Sequence, residues 1–220
     1  MPSREFSVDV PGAGGVTCIR TTPSRGGARW IVVYAPGAGA NLHDPFGAHL
    51  AATLPSEGIA VVRMQFPYMQ AGKKSPDRQP VLEATWRAVL ERVADGSSRV
   101  VVSGRSMGGR IGSMVVADGA PADALALFAY PLHPPGKPEQ QRVEHLPKLK
   151  LPTLFVSGTN DAFGSPEELQ AAAKRVRGAK LHLLDGADHG FSVKKSSGRT
   201  REDVWAEASS ALLAWIGVIE

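Results

Sequence analysis

The stretch Val100-Val101-Val102-Ser103-Gly104-Arg105-Ser106-Met107-Gly108-Gly109 decides the fold, because an apolar β-branched run passes directly into a glycine-rich turn. Residues 104–108 match the pattern Gly-x-Ser-x-Gly. In a chain of this composition the bare pattern would arise by chance in about one sequence of five, so alone it says little. Its context says more, because a segment of helical periodicity follows at 109–117. We therefore predict a strand, a tight turn that presents Ser106, and a helix; a serine in an ordinary strand-to-helix turn is the alternative.

The glycines around Ser106 fit that prediction for a steric reason. A Cβ atom at Gly104 or Gly108 would clash in so tight a turn, and glycine has none. Gly112 lies one helical turn after Gly108, where a missing side chain lets the predicted helix approach the sheet. We expect the backbone to be closely approached at all three positions.

Short apolar runs of similar composition recur along the chain. With the run before Ser106 they are residues 30–35, 59–65, 99–103, 124–129, 153–157 and 180–184. Nearly continuous Val, Ile and Leu runs are typical of strands that are buried on both faces of a parallel sheet. We therefore predict a sheet that is covered by helices on each side.

Helical patterns separate these runs, at 44–56, 79–94, 109–117, 165–177 and 201–216. Ser165-Pro166-Glu167-Glu168 supplies an N-cap, a first-position proline and first-turn acids. Residues 4–20 read as an antiparallel hairpin, and 131–152, with six prolines, as a surface loop or a short partial lid. The alternation predicts a doubly wound α/β fold with a mostly parallel sheet and little or no lid.

The composition is that of a globular protein. Of the 220 residues 43% are hydrophobic and 21% are charged, which argues against a wholly disordered chain. The 24 glycines and 17 prolines show no collagen-like repeat and are expected in turns. Because the length suits one hydrophobic core, we predict that residues 1–220 form a single domain.

The sequence also bears on compartment and partners. Cys18 is the only cysteine, so no intramolecular disulfide can form, and we expect it to be buried on a strand. No run approaches the roughly 20 apolar residues of a membrane span, and the first residues lack a signal-peptide run. We expect a cytoplasmic protein without a membrane partner. The net charge is +4, but basic and acidic residues are interspersed, so no nucleic-acid partner is expected.

A serine hydroxyl becomes an effective nucleophile when a base removes its proton. His189 follows the last predicted strand, which places it at the carboxyl edge of the sheet beside Ser106. His133 can also face this edge but is left out of the predicted set. The remaining histidines are in less suitable segments, namely His43, His49, His145 and His182.

The base in turn needs an acid that fixes its tautomer. Asp161 lies just after the predicted strand at 153–157, again at the carboxyl edge. Asp188 is adjacent to His189 and can hardly reach the Nδ1 of the neighbouring ring, while Asp185 is a more distant substitute. We predict Asp161, with helix capping as its alternative role.

An oxyanion needs hydrogen-bond donors that are already in place. One is expected to be the backbone N–H of Met107, directly after the nucleophile. The other is expected from Tyr34-Ala35-Pro36-Gly37-Ala38-Gly39-Ala40, with Ala38 as the first choice and Gly39 as the second.

Taken together, these residues resemble the α/β-hydrolase superfamily. The motifs that carry the resemblance are Tyr-Ala-Pro-Gly-Ala-Gly at 34–39, Gly-Arg-Ser-Met-Gly-Gly-Arg at 104–110, and Tyr-Pro-Leu-His-Pro-Pro-Gly at 130–136, with the order Ser106, Asp161, His189. Within that superfamily the chain is similar, over about residues 16–217, to small, lid-less, dienelactone-hydrolase-like predicted hydrolases. That branch includes testis-expressed hydrolase-like proteins and a hydrolase-like subunit of a chromatin-acetylating complex.

The resemblance implies a Ser-Asp-His hydrolase but fixes no substrate, and two departures qualify it. Many members have His-Gly where this chain has Pro36-Gly37; because backbone groups hold the oxyanion, we expect a changed loop anchor rather than lost catalysis. Dienelactone hydrolases proper use cysteine, so Ser106 favours cleavage of esters or thioesters.

Aromatic residues near the predicted strand ends are candidates for the substrate pocket, although packing in the core is an equal interpretation of each. They are Phe66, Tyr68, Tyr130, Phe163 and Phe191. Arg105, Arg110, Lys73 and Lys74 lie in segments expected near the same edge, which leaves open a preference for anionic acyl substrates.

Motifs for bound cofactors fail on inspection. The segment 37–42 has Leu42 where a dinucleotide-binding fingerprint needs glycine, and Lys74 stands where a P-loop needs Ser or Thr. We expect no cofactor and no metal, and a small-molecule acyl substrate as the partner. A hydrolase-fold scaffold with little turnover and an acyltransferase are the alternatives to a serine hydrolase.

Overall fold

An eight-stranded sheet forms the centre of the computed structural model, which describes residues 1–94 and 96–219. The strands are β1 Ser3–Val10, β2 Gly14–Thr21, β3 Trp30–Ala35, β4 Ile59–Met64, β5 Arg99–Arg105, β6 Ala124–Phe128, β7 Thr153–Gly158 and β8 Lys180–Leu184. The α-helices are α1 Pro45–Thr53, α2 Pro67–Gln70, α3 Gln79–Val93, α4 Met107–Ala117, α5 Pro166–Ala173 and α6 Arg201–Ile219.

The strands are arranged in the order β1-β2-β4-β3-β5-β6-β7-β8. From β4 to β8 every pair is parallel, whereas β1 pairs with β2 and β2 with β4 in antiparallel fashion. The predicted hairpin and the mostly parallel α/β sheet are therefore confirmed. Because the parallel strands all end at one edge, the residues that follow β3, β5, β7 and β8 lie near one another.

Two hydrophobic cores cover the two faces of the sheet. Alternate residues of one strand point to opposite faces, so Val33 packs in the core with α3, α4 and α5, and Val32 in the core with α1 and α6. Cys18 is completely buried, as expected, and burial raises the pKa of its thiol to about 12. Within 1–94 and 96–219, no helix combines the length and apolar character that a membrane span requires.

The structure corrects several predicted boundaries. The strand before Ser106 continues two residues further than predicted, to Arg105, so the turn is tighter than the sequence indicated. The helix predicted at 165–177 ends at Ala173, although Ser165 and Glu168 form the predicted capping box at its start. The short helix α2, Pro67–Gln70, was not predicted, since one turn is too short to show a periodicity.

The proline-rich segment 131–152 is anchored to the body of the protein. Leu132, Val143, Leu146 and Leu149 are buried in the core that also contains α4. His145 Nε2 lies 2.7 Å from the Ser113 hydroxyl on that helix.

The His145 ring makes the stability of the protein depend on pH. Burial, and then the Arg110 charge, lower the pKa of His145 from 6.5 to about 4. Between pH 4 and 6.5 the His145 ring is protonated in the unfolded chain and neutral in the folded protein. The free energy of unfolding is therefore highest above pH 6.5 and decreases as the pH falls towards 4. Lowering the pH from 7 to 5 is expected to remove about 1–2 kcal/mol of unfolding free energy through this group, allowing for its partial exposure.

Urea unfolding of the wild type and of His145→Gln at both pH values measures this contribution. The wild type should lose more stability on acidification than the variant. An equal loss in both proteins would show that His145 is not responsible.

Candidate active site

The turn that presents Ser106 is strained and closely packed. Ser106 has φ 52° and ψ −121°, a backbone conformation that residues other than glycine rarely adopt. Its N–H donates to the Phe128 carbonyl. A Cβ atom at Gly108 would lie 2.3 Å from the Ala35 carbonyl oxygen, and one at Gly104 would lie 2.6 Å from the Gly109 nitrogen. The expected close approaches at these two glycines are therefore present.

Helix α4 lies close to the sheet for the predicted reason. A Cβ atom at Gly112 would be 2.9 Å from Val102 and 3.1 Å from the Trp86 ring. The Trp86 indole N–H donates to the Gly108 carbonyl at 3.1 Å. These contacts fix the first turn of α4, and with it the direction of the Ser106 side chain.

The structure brings the side chains of Ser106, His189 and Asp161 into one hydrogen-bonded chain. Ser106 Oγ lies 2.8 Å from His189 Nε2, and His189 Nδ1 lies 2.8 and 3.0 Å from the two carboxylate oxygens of Asp161. The Asp161 side chain is only 1% exposed, whereas that of His189 is 24% exposed. The carboxylate is therefore shielded, while the imidazole and hydroxyl open towards solvent.

Local contacts hold Asp161 and His189 in this arrangement. Asp161 Oδ1 also accepts a 2.8 Å hydrogen bond from the Phe163 N–H. The Phe163 ring stacks on the His189 imidazole, with centroids 4.0 Å apart. Asp188 is occupied otherwise, since its Oδ1 accepts from the N–H groups of Gly190 and Ser192 and so shapes the loop around His189.

The loops that carry these two residues are joined at their bases. The Asn160 N–H donates to the Ala187 carbonyl, and the Thr159 hydroxyl accepts from the Gly186 N–H. Gly158 lies so close to the next loop that a Cβ there would be 2.0 Å from the Ala187 oxygen. The separation of Asp161 from His189 is therefore set by these contacts between the bases of the two loops.

Among the described residues no other histidine is hydrogen-bonded to Ser106: His43 is exposed and does not line the cavity at Ser106, and His145 pairs with Ser113. His133 lies between the Pro134 carbonyl and the Glu168 carboxylate, and these partners, the carbonyl first, raise its pKa. His49 pairs with Ser209 and His182 with Glu207. His189 is therefore the imidazole that the fold presents to the Ser106 hydroxyl.

The loop after β3, residues 36–44, lies beside Ser106 and is held at both ends. A Cβ at Gly37 would be 3.5 Å from Ser106 Cβ. The Gly39 N–H donates to the Tyr68 hydroxyl at 2.9 Å, so the second-choice oxyanion donor is already engaged. Asp44 accepts from Arg105 at 3.1 Å and from the Tyr34 hydroxyl at 2.7 Å, which ties the loop to the nucleophile turn.

The two residues that carry the predicted oxyanion donors both line the opening at Ser106. Ala38 and Met107 line a cavity of about 430 Å³, together with Ser106, His189 and Phe163. Neither N–H has a hydrogen-bond partner in the described part of the chain. Two backbone donors are thus available next to the serine hydroxyl.

The structure corrects most of the predicted pocket. Of the five aromatic candidates only Phe163 lines the cavity. The other four are buried in the two cores and are not lining residues, namely Phe66, Tyr68, Tyr130 and Phe191. Lys73 and Lys74 are exposed and do not line it either.

Sequence reasoning missed the contribution of the proline-rich segment. Pro131 and Arg142 line the cavity, because the segment turns back over the first turn of α4. No motif around Arg142 indicated this position; the only signal was the length of the irregular connection.

Comparison with known proteins agrees with the fold described above. The sequence model of a family described as "Alpha/beta hydrolase domain" matches residues 28–217. A lid-less serine hydrolase from Xanthomonas campestris is 19% identical, with a TM-score of 0.75 over 98% of this chain and 96% of that one. An α/β serine hydrolase homologue from Coxiella burnetii is 20% identical, with a TM-score of 0.76 over 96% of this chain and 98% of that one.

A dienelactone hydrolase from Anabaena variabilis is also similar, at 19% identity and a TM-score of 0.73 over 95% of each chain. At these identities the solved structures show a common fold. The predicted resemblance and the predicted fold, including its small or absent lid, are confirmed.

Proposed function

Because the chain belongs to the α/β-hydrolase family, whose sequence model matches residues 28–217, we propose that this serine hydrolase cleaves small carboxylic esters or thioesters through an acyl-enzyme on Ser106. The observation that carries the proposal is the hydrogen-bonded chain from the Ser106 hydroxyl through His189 to the buried Asp161. A nucleophile, a base and an orienting acid in contact are what acyl transfer to water requires.

The reaction follows from the positions of these groups. His189 Nε2 takes the proton of Ser106 as the hydroxyl oxygen attacks the substrate carbonyl. Asp161 holds the imidazole through Nδ1 and stabilises the positive charge that develops on it. The imidazolium then gives its proton to the leaving alcohol or thiol, and the same histidine activates the water that releases the acid.

The negative charge on the carbonyl oxygen is held by the N–H groups of Met107 and Ala38. Met107 is the first residue of α4, so the helix dipole reinforces its donor. Each such donor contributes about 3 kcal/mol to the stability of the transition state in enzymes of this chemistry.

Turnover of chromogenic esters and thioesters of increasing acyl length tests the proposal. Hydrolysis of short esters with a transient acyl adduct on Ser106, trapped by rapid acid quenching and located by peptide mass spectrometry, is the expected result. A folded protein that neither turns over any ester nor forms the adduct would favour the scaffold alternative. Product that goes mainly to added alcohols or amines rather than to water would favour an acyltransferase.

Tyr68 is expected to position the oxyanion loop. Its hydroxyl accepts from the Gly39 N–H, next to the proposed Ala38 donor, and its ring is buried. Tyr68→Phe removes this anchor and keeps the ring, so kcat for a short ester should fall about tenfold with little change in KM. Steady-state kinetics with a thermal unfolding control measure this, and an unchanged kcat would show that the loop does not need the anchor.

A further inference from the structure

Three arginine side chains line the cavity at Ser106, and they differ in how their charges are balanced. Arg105 lies 3.1 Å from the buried Asp44 carboxylate, so this pair is close to neutral. Arg110 and Arg142 have no carboxylate within ion-pair distance among residues 1–94 and 96–219. The cavity wall therefore carries two unbalanced positive charges close to the nucleophile.

The surroundings of Arg110 make the positive charge of its guanidinium energetically unfavourable. Its side chain is partly buried on α4, one helical turn after Ser106, and its Nη1 contacts the Met114 sulfur at 3.3 Å. Burial, and then the charge of Arg142, lower its pKa, while Tyr130 and Glu83 act in the opposite direction without forming an ion pair with it. A guanidinium stays protonated in proteins, so an anion placed here would offset both burial and repulsion.

Arg142 is held in place by the backbone around it. Its Nη1 donates to the Pro131 carbonyl at 3.2 Å, its N–H donates to the Leu132 carbonyl at 2.8 Å, and its own carbonyl accepts from the Tyr130 hydroxyl. These contacts use one of the five N–H groups of the guanidinium. The other four have no hydrogen-bond partner among the described residues, so they can bind a ligand in the cavity that Arg142 lines.

We propose that Arg110 and Arg142 bind a carboxylate of the substrate, so that the natural substrates are esters or thioesters that carry an anionic group a few bonds from the cleaved carbonyl. This inference rests on the proposed function, since the arginines line the same cavity as the Ser106 hydroxyl. Arginine pairs suit a carboxylate because each guanidinium can donate two parallel hydrogen bonds. Pro131 and the Phe163 ring, which also line the cavity, suit a short apolar linker between the two ends.

Two matched pairs of esters test the proposal and locate the charge. Mono-4-nitrophenyl glutarate and its methyl ester differ by one charge in the acyl part. 4-Acetoxybenzoate and its methyl ester differ by one charge in the leaving group. In at least one pair the charged member should have a kcat/KM at least about tenfold higher than the neutral one, after subtraction of uncatalysed hydrolysis, since a charged hydrogen bond contributes this much.

Variants assign the preference to the two arginines. Arg110→Gln and Arg142→Gln should each lower the ratio of charged to neutral kcat/KM about tenfold, and Arg142→Lys should lower it less because it retains the charge. The exposed Arg175→Gln, outside the cavity, is the matched control and should leave the ratio unchanged. High ionic strength should reduce the wild-type ratio.

The possible failures are distinguishable. If neutral esters are turned over and Ser106 is acylated, but the ratio is near one in both pairs or survives both Gln variants, the carboxylate site is wrong and the hydrolase stands. If one of the two Gln variants does not fold, the ratio measured for the other still tests the carboxylate site. If no ester is cleaved and Ser106 is not acylated, the proposed function fails and this inference fails with it.

Discussion

Ser106→Ala is expected to lower kcat/KM for 4-nitrophenyl acetate by about 10⁴-fold or more while the protein remains folded. The reason is that the hydroxyl oxygen 2.8 Å from His189 Nε2 is, in the proposed mechanism, the protein atom that forms a covalent bond to the substrate carbonyl. Steady-state kinetics and thermal unfolding on the same preparations measure the two quantities. The residual rate should come from the oxyanion donors and from substrate binding.

Ser103→Ala is the matched control. Ser103 lies three residues earlier on β5, is completely buried, and its hydroxyl has no hydrogen-bond partner in the described residues. Its removal should leave ester turnover close to that of the wild type. Full activity in Ser106→Ala would show that another residue performs the chemistry.

Gly158→Ala is expected to damage both stability and activity. The new Cβ would lie 2.0 Å from the Ala187 oxygen, so the 185–190 loop and the end of β7 must move apart. Overpacking against backbone should cost about 3 kcal/mol of unfolding free energy. The same movement takes His189 away from Asp161, so kcat should fall as well.

Chemical denaturation and ester kinetics test this prediction, with Gly27→Ala as the control. No atom lies within 4 Å of the position of a Cβ at Gly27, and this glycine has an ordinary backbone conformation. Its replacement should change the unfolding free energy by less than about 0.5 kcal/mol. Wild-type stability in Gly158→Ala would contradict the close approach of the two loops.

The sequence predicted the sheet and the meeting of Ser106, Asp161 and His189 because each of these residues follows a strand. Carboxyl ends of parallel strands share one edge, so position along the chain translates directly into position in space. The structure places these side chains within hydrogen-bond distance, and their catalytic roles stay predictions. Asp188 could be excluded as the orienting acid because it is adjacent to His189 in the sequence. In the structure its carboxylate accepts hydrogen bonds from backbone N–H groups of the His189 loop instead.

The pocket could not be predicted in this way, because a residue after a strand can point either into the cleft or into the core. Phe191 follows His189 closely but packs against Phe46, with ring centroids 5.3 Å apart. Tyr130 follows β6 and packs against Phe155. Arg142 reaches the cavity through an irregular segment without periodicity, so its position depends on tertiary contacts that no local pattern records.

Covalent labelling with a fluorophosphonate probe tests whether Ser106 is a nucleophile activated by His189 and Asp161. We expect one adduct per chain, located on Ser106 by peptide mass spectrometry, with labelling lost in Ser106→Ala and slowed by at least about 100-fold in His189→Ala. Folded wild-type protein that remains unlabelled, or that is labelled at Ser106 equally fast without His189, would contradict this expectation.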